Sequence, residues 1–393
     1  MKPMSEGRIR VFPIALRHIS AGFTAVLVGY TSSIIIVIQA ATLAGANEQQ
    51  IISWLLVLGL SMGISSLAFS WYYKMPILTA WSTPGAALLA TVADQYSLSS
   101  IIGACITAGV LTTLTGFISP LNRLVRNIPS PLATAMLAAI VLPFCLNAFT
   151  AINTAPVAFL LMFGTFIIAK RYFASFAMSG LLIVGILYAI GIGSFDGHTI
   201  DLSISQWMWM PPQWDIAAMV NLGIPLYLVA MLSQNLPGVA MLSTYGYQPS
   251  IKPLLVGSGM GNIITAPLGG YSLNLAAISA AICMNESVDP DKNQRYKASM
   301  AAGGFYLLAG VWASAVVSIF VALPKEVVSI LAGLALLGTL LNCIKHAFTD
   351  EYYREAALLT FLVTASGISV LGINAVIWGL LIGVLVLGLQ KAP

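Results

Sequence analysis

The chain has 393 residues, of which 59% are hydrophobic and only 8% are charged, and its mean hydropathy is +0.92. Because a soluble protein carries roughly 25% charged residues, this composition excludes a water-soluble domain and predicts a polytopic membrane protein. The small net charge of +4 gives no support to nucleic-acid binding. We therefore expect the lipid bilayer and a small molecule as partners, and no nucleic acid.

Apolar runs that can cross a bilayer, which takes about 20 residues each, occur fourteen times along the chain. The first run follows a basic N-terminus without a convincing signal-peptide cleavage site, so we interpret it as a retained span. The first seven spans are placed at 19–44, 50–72, 76–93, 99–119, 129–149, 154–170 and 173–193. The second seven are placed at 217–242, 250–267, 269–285, 298–321, 324–344, 355–371 and 373–389.

These spans predict two repeats, at residues 1–193 and 216–393, joined by an outer loop at 194–215. Since each repeat has an odd number of spans, the second begins on the opposite side of the membrane, and the two repeats are inverted. The expected fold class is an all-α polytopic membrane protein with fourteen transmembrane segments. Spans 3 and 10 are expected to be broken into a short extended strand and a half-helix.

The distribution of positive charge supports this topology. With both termini in the cytoplasm, the outer side receives only Lys325, as the positive-inside rule requires. The N-terminal segment holds Lys2, Arg8, Arg10 and Arg17, and the other cytoplasmic positions are Lys74, Arg123, Arg126, Lys170, Arg171, Lys252, Lys292, Arg295, Lys297, Lys345, Arg354 and Lys391.

Two stretches, 78–90 and 270–280, interrupt the apolar pattern at corresponding places in the two repeats. In the first, Pro84 removes a backbone donor and holds Thr83 extended, and helix-forming residues follow from Gly85. The second is a near copy about 190 residues later. Paired interruptions of this kind in the two halves of a transporter indicate its binding site.

Inverted half-helices that start near Gly85 and near Asn274 would bring two helix N-termini together in the middle of the membrane. Each N-terminus offers free N–H groups and about half a positive charge, so the pair predicts an anion site without Lys or Arg. The alternative is a pair of kinked helices that bind nothing. The candidate site residues here are Trp81, Ser82, Thr83, Gly85, Tyr271, Ser272 and Asn274, of which Trp81 and Tyr271 would line an aromatic body.

Polar residues also interrupt the eighth span, at residues 233–238. Gln234 and Asn235 are costly inside a bilayer unless they are paired or face water, so we predict that they face the substrate cavity. The alternative is that they form interhelical hydrogen bonds that support packing. By inversion, the first span contributes its only polar patch at mid-depth, residues 29–33, which adds Tyr30 to the candidate substrate-binding residues.

No catalytic or metal site is visible at membrane depth. The four cysteines lie singly inside apolar segments and are interpreted as small buried hydrophobic residues. His18 and His346 are placed at cytoplasmic ends of spans and His198 in an outer loop, and no buried carboxylate or histidine stands out as a proton relay. The sequence therefore predicts no enzyme activity, no metal and no cofactor.

Several runs of the chain, at 76–88, 233–238, 271–278, 290–295 and 362–367, resemble the benzoate:proton symporter (BenE) family. The resemblance implies a bacterial inner-membrane transporter that imports benzoate or a similar aromatic carboxylate with protons, by alternating access. It also implies the seven-plus-seven inverted-repeat fold of uracil permeases. In that fold, a core domain (spans 1–4 and 8–11) and a gate domain (spans 5–7 and 12–14) move against each other. Related folds are often dimers, which suggests a homodimer.

One position departs from the related pattern. In uracil permeases the residue equivalent to Gln234 is acidic, and a neutral amide suits an anionic substrate that a buried carboxylate would repel. The alternatives are a transporter of another solute, such as a nucleobase or an inorganic anion, and an uncoupled facilitator. A passive channel is disfavoured because the polar residues concentrate at mid-membrane instead of forming a continuous stripe.

Overall fold

The computed structural model describes residues 14–194 and 200–390, so Lys2, Arg8, Arg10, His198 and Lys391 of the expected topology lie outside the described residues. The first half of the chain contains one strand, β1, and nine helices, α1–α9, in its described residues. Their bounds are α1 (Leu16–Thr31), α2 (Ile34–Leu43), α3 (Glu48–Tyr73), β1 (Thr79–Trp81), α4 (Thr83–Val92), α5 (Leu98–Phe117), α6 (Ser119–Arg126), α7 (Ser130–Thr150), α8 (Pro156–Tyr172) and α9 (Ala177–Gly191).

The second half of the chain begins with a long helical run that two π-helical turns, at Met219–Gly223 and Met231–Asn235, divide into three parts. These parts are α10 (Ile216–Ala218), α11 (Ile224–Ala230) and α12 (Leu236–Thr244). The remaining elements are α13 (Ile251–Thr265), β2 (Leu273–Leu275), α14 (Ile278–Met284), α15 (Tyr296–Val311), α16 (Ala313–Ala322), α17 (Lys325–Phe348), α18 (Arg354–Ala365), β3 (Ser369–Val370), β4 (Ile373–Asn374) and α19 (Ala375–Leu389).

By length and hydropathy, six helical runs of the described residues can each cross a membrane, and α15 with α16, bent by 60°, makes a seventh. The other apolar helices are shorter. Helices α9 and α19 have 15 residues each, and α4 and α14 have 10 and 7. The structure is thus a mostly helical membrane protein in which short helices accompany long ones.

The helices form two groups. The first contains α1–α5 and α10–α16, and its longest contacts run between α3 and α15 and between α5 and α13. Both contacts are close because glycines face each other. A Cβ on Gly59 would lie 2.6 Å from the Cα of Gly310, and a Cβ on Gly259 would lie 2.8 Å from the carbonyl oxygen of Gly109. In the second group, α7 packs against α17, α18 and α19, and α17 also contacts α8 and α9.

The two interrupted stretches meet in the first group as an antiparallel pair of short strands. Thr79 is opposite Leu275, Ala80 is opposite Asn274, and Trp81 is opposite Leu273. The expectation that a half-helix starts near Asn274 is wrong, because Asn274 lies inside β2. Helix α14 begins four residues later, at Ile278.

Candidate functional site

We call the antiparallel pair of β1 and β2 the strand crossing. Besides its three residue pairs, two further backbone hydrogen bonds hold it together. The N–H of Ser82 donates to the carbonyl of Ser272 at 3.2 Å, and the N–H of Ala276 donates to the carbonyl of Leu78 at 2.8 Å. Extended backbone is tolerated at membrane depth only where protein buries it or where it lines a cavity. The sheet pairing therefore satisfies the polar groups that neither stretch could satisfy by itself.

Helix α4 starts directly after β1 because Ser82 caps it. The Ser82 hydroxyl accepts a hydrogen bond of 2.9 Å from the N–H of Gly85, and Pro84 occupies the first turn, where a missing N–H costs little. Ser82 is fully buried. A side chain at Gly85 would meet Leu226 of α11 at 2.9 Å, so this glycine lets the two helices approach each other. Ser82 and Gly85 thus shape the start of the helix.

Asn235, Asn274 and Ser272 form one buried network behind the crossing. Asn235 donates from Nδ2 to Oδ1 of Asn274 at 2.9 Å, and its own Oδ1 accepts from the N–H of Leu275 at 3.0 Å. Asn274 donates to the hydroxyl of Ser272 at 2.8 Å. Asn235 therefore fixes β2 through both ends of its amide: its nitrogen bonds the Asn274 side chain and its oxygen bonds the Leu275 backbone.

Two aromatic pairs lie beside the crossing. Trp81 donates from Nε1 to the Ser33 hydroxyl at 2.8 Å and packs against Tyr30, with ring centroids 5.0 Å apart. Tyr271 donates its hydroxyl to the carbonyl of Ser82 at 2.8 Å and stacks on Trp54 at 6.0 Å. The aromatic residues expected at matching positions therefore lie in different surroundings.

A cavity of about 510 Å³ opens between the two groups of helices, beside the strand crossing. Its walls from the first group come from α1, β1, the start of α4, the π turn before α12 and the start of α14. Its opposite wall comes from α7 and α17 of the second group. The residues that line it are Val28, Gly29, Ser32, Ser33, Met62, Ala80, Trp81, Thr83, Pro84, Ser130, Thr134, Leu137, Leu232, Ser233, Gln234, Pro237, Ala276, Ala277, Ile278, Ser279, Tyr306, Ala335, Leu336, Thr339, Asn342, Cys343 and His346.

Three of the predicted site residues, Trp81, Thr83 and Gln234, line this cavity. The other predicted residues lie next to it but do not line it. Tyr30 packs behind Trp81, and within the described part of the chain its buried hydroxyl has no hydrogen-bond partner. The rest, which lie in or against the crossing, are Ser82, Gly85, Asn235, Tyr271, Ser272 and Asn274.

Several polar side chains that line the cavity have no hydrogen-bond partner within the described ranges, whereas Ser32, Ser33 and Ser233 are paired. Within residues 14–194 and 200–390, the side chains of Thr83 and Gln234 make no hydrogen bond. Helix α14 begins after Ala277, whose side chain cannot cap it, so the N–H groups of its first turn lack a side-chain acceptor. The described lining residues include no carboxylate. Such a site offers hydrogen-bond donors and no negative charge.

Sequence reasoning missed the wall formed by α7 and α17. Thr339, Asn342 and His346 on α17 follow a spacing of three and four residues, which places them on one face of the helix. Polar residues at this spacing in an apolar helix could have been recognised in the sequence as a polar face. The spacing indicates a face but not what the face adjoins, so only the packing of α17 shows that these residues line the cavity.

A buried histidine–carboxylate pair, which the sequence did not single out, lies at the start of α1. His18 Nδ1 accepts from the N–H of Ala15 at 3.1 Å, so Nε2 carries the proton and donates to Asp289 at 2.9 Å. Both side chains are buried, and the half-exposed Arg17 also contacts Asp289. Burial raises the pKa of Asp289, but the Asp291 N–H, the His18 hydrogen bond and the charge of Arg17 together lower it below its ordinary value. The pair joins α1 to the loop before α15.

Long apolar helices around a polar cavity, with two short strands that cross beside it, define a multi-pass membrane transporter. The structure is similar to the transmembrane domain of a cyanobacterium bicarbonate transporter, BicA, with a TM-score of 0.63. The match covers 95% of this chain and 98% of that one at 16% sequence identity, and so shows a shared fold.

The family is shown by sequence. The family model described as "Benzoate membrane transport protein" (BenE) matches residues 13–389. The inner membrane protein YdcO of Escherichia coli (strain K12) is 42% identical over 95% of this chain and 96% of its own length. The benzoate membrane transport protein of Acinetobacter baylyi (strain ATCC 33305 / BD413 / ADP1) is 37% identical over 93% of each chain. The chain belongs to the BenE family, and it is a multi-pass transport protein of the bacterial inner membrane, not an enzyme.

Proposed function

We propose that the protein imports benzoate or a similar aromatic carboxylate together with protons, by alternating access. The observation that carries the proposal is the cavity beside the strand crossing, in which the Gln234 amide and the Thr83 hydroxyl have no partner among the residues that the structure describes. Its volume of about 510 Å³ falls within the range of small-molecule sites, ~300–1,000 Å³. The A. baylyi relative, named a benzoate membrane transport protein, supplies the substrate class.

The cavity suits a molecule with an apolar ring and one negative end. The N–H of the Trp81 indole is bonded to Ser33 and its ring packs against Tyr30, and the part of the indole that lines the cavity can contact an apolar ring. Gln234, Thr83 and the first turn of α14 offer donors to a carboxylate. No buried acidic side chain among the described lining residues would repel the anion.

We assign the predicted site residues two roles on this basis. Trp81, Thr83 and Gln234 touch the substrate. The others hold the crossing in shape: Ser82 and Gly85 set the start of α4, Asn235, Ser272 and Asn274 fix β2, and Tyr30 and Tyr271 pack against the aromatic and backbone groups beside it.

We further propose that the fold consists of fourteen spans in two inverted repeats. Helix packing supports the repeat. The contact of α3 with α15 joins expected spans 2 and 11, and that of α5 with α13 joins spans 4 and 9, so exchanging the repeats turns one pair into the other. The contacts of α8 with α9 and of α18 with α19 correspond in the same way.

The two helix groups supply the moving parts. The group that holds the strand crossing is the core domain (spans 1–4 and 8–11), and the group around α7 and α17 is the gate domain (spans 5–7 and 12–14). The cavity lies between them and extends towards the basic end of α17, beside Lys345 and His346. By the positive-inside rule this end is cytoplasmic. The described conformation is therefore inward-facing, with both termini in the cytoplasm, the 194–215 loop outside, and a homodimer as the proposed assembly.

Uptake of labelled benzoate into proteoliposomes tests the function. We expect saturable uptake that rises with an inward proton gradient and falls when the gradient is collapsed. Competition by substituted benzoates, but not by uracil or bicarbonate, would support the aromatic carboxylate. Absence of benzoate uptake, or stronger competition by a nucleobase or an inorganic anion, would contradict the assignment. Uptake that does not depend on the proton gradient would show that the protein is an uncoupled facilitator of benzoate and would contradict proton coupling.

A further inference from the structure

One end of the cavity is lined by polar side chains that lie away from the strand crossing. Ser130 stands at the start of α7, and Asn342 and His346 stand in the last two turns of α17. All three are exposed, whereas Trp81, at the other end of the cavity, is buried. We call Ser130, Asn342 and His346 the mouth residues.

The mouth residues have free hydrogen-bonding groups. In the two described ranges, 14–194 and 200–390, none of the three side chains has a hydrogen-bond or ion-pair partner. His346 is the only basic residue among the described residues that line the cavity. An imidazole donates an N–H in either protonation state and adds a positive charge when protonated.

The mouth lies on the route between the substrate site and the open end of the cavity. His346 is ten residues beyond Leu336 on the same helix, which is about 15 Å along the helix axis. Thr339 and Asn342 occupy the steps between them, on the same face. An anion that leaves the strand crossing towards this end passes a row of donors that ends at the single basic group.

We propose that His346, with Asn342 and Ser130, forms a second, low-affinity station for the substrate carboxylate at the mouth of the cavity. This inference rests on the proposed function and adds a residue that sets the affinity measured from the cytoplasmic side. A donor and a positive charge at the mouth attract the anion there, and they do not touch substrate at the crossing. The station therefore changes the apparent KM from one side, and the maximal rate from that side changes in the same proportion, because transport in the opposite direction fixes the ratio of the two.

The adjacent lysine supplies a matched control. Lys345 carries a full positive charge one residue away and is exposed, but it does not line the cavity. A general effect of surface charge would appear in K345Q as strongly as in H346Q. An effect of the mouth would appear only in H346Q and would be restored in H346R, which keeps a charged N–H donor.

Benzoate transport is measured in inside-out and right-side-out vesicles that contain wild type, H346Q, H346R or K345Q. We expect H346Q to raise the KM from the cytoplasmic side about fivefold, the effect of losing one charge near the carboxylate in hydrated surroundings. We expect H346Q to keep the wild-type KM and maximal rate from the outer side and, without a proton gradient, to raise the maximal rate from the cytoplasmic side in proportion to the KM. We expect H346R and K345Q to match wild type.

Three results would overturn the station: an unchanged cytoplasmic-side KM in H346Q, an equal rise in K345Q, or an equal rise from both sides. If H346Q fails to insert, H346R and N342A keep the test open, because N342A is expected to raise the same KM to a smaller extent. Absence of benzoate transport by the wild type would overturn the proposed function itself, so the two failures are distinguishable.

Discussion

The side chain of Asn235 donates a hydrogen bond of 2.9 Å to that of Asn274, 39 positions further along the chain. Both side chains are fully buried, and Asn235 also accepts from the N–H of Leu275. The preceding residue, Gln234, faces the cavity and is unpaired within the part of the chain that the structure describes. Two adjacent amides on one π turn therefore differ in role, since one fixes a strand and the other is free to bind substrate.

Replacing Gln234 by alanine is expected to weaken transport without weakening the fold. The variant loses a donor to the carboxylate, and a hydrogen bond to a charged group contributes roughly 1.5–3 kcal/mol. We expect the KM for benzoate to rise about tenfold or more, with the melting temperature in detergent unchanged. Initial uptake rates and thermal unfolding of the same preparation check both parts. Wild-type transport by Q234A would remove Gln234 from the site.

Replacing Asn235 by alanine, in contrast, is expected to lower the stability of the fold. It leaves the Leu275 N–H and the Asn274 side chain buried without this partner, and each unsatisfied group costs about 1–3 kcal/mol. The melting temperature should fall clearly, and N274A should behave similarly because it removes the same bond. The exposed Asn293 offers a control, N293A, with unchanged melting. Stable N235A and N274A proteins would show that the network does not hold the crossing.

Gly269 is expected to tolerate no side chain. Its φ of +102° is a left-handed conformation, and a Cβ there would lie 2.0 Å from the Trp54 ring that stacks on Tyr271. G269A should therefore insert poorly or unfold at a much lower temperature than wild type. Gly45 is the control for backbone strain alone: its φ is +80°, but no described atom lies within 4 Å of an added Cβ. We expect G45A to cost only about 1–2 kcal/mol, and equal melting of the two variants would contradict the overlap.

The buried pair of His18 and Asp289 predicts a pH-dependent contribution to stability. The folded-state pKa of Asp289 lies below its unfolded value, so its stabilisation is present above the unfolded pKa and is lost as the pH falls through the folded pKa. Asparagine at this position removes the charge that strengthens these hydrogen bonds, and a hydrogen bond to a charged group contributes roughly 1.5–3 kcal/mol. D289N should therefore melt well below wild type at neutral pH, and the difference should shrink in strong acid. A difference that is constant with pH would contradict this origin.

The sequence was most informative where a residue has a strong local effect. Pro84 and Gly85 predicted an extended run that ends in a helix, and β1 and α4 lie there. Asn274 was assigned to a helix start because the likeness of the two interrupted stretches aligns it with Pro84, yet pairing with Ala80 places it in a strand. Strand pairing between residues this far apart is a tertiary effect that local propensity does not contain.

The roles of individual polar side chains were harder to predict for the same reason. Ser82 and Thr83 are adjacent and chemically similar, but the Ser82 hydroxyl caps α4 and the Thr83 side chain lines the cavity. Likewise, His18 and His346 both stand at helix ends, and only packing shows that one is buried against Asp289 and the other exposed at the mouth. Composition and family motifs predict the class of protein, and helix packing determines which donors remain free.

A structure with bound 4-bromobenzoate tests the central claim most directly, because the bromine marks the ring and the carboxylate lies opposite. We predict density in the cavity between the strand crossing and α17, with the ring against Trp81 and the carboxylate within hydrogen-bonding distance of Gln234 and the first turn of α14. Bromobenzoate bound outside this cavity, or bound with its carboxylate away from these donors, would contradict the proposed site.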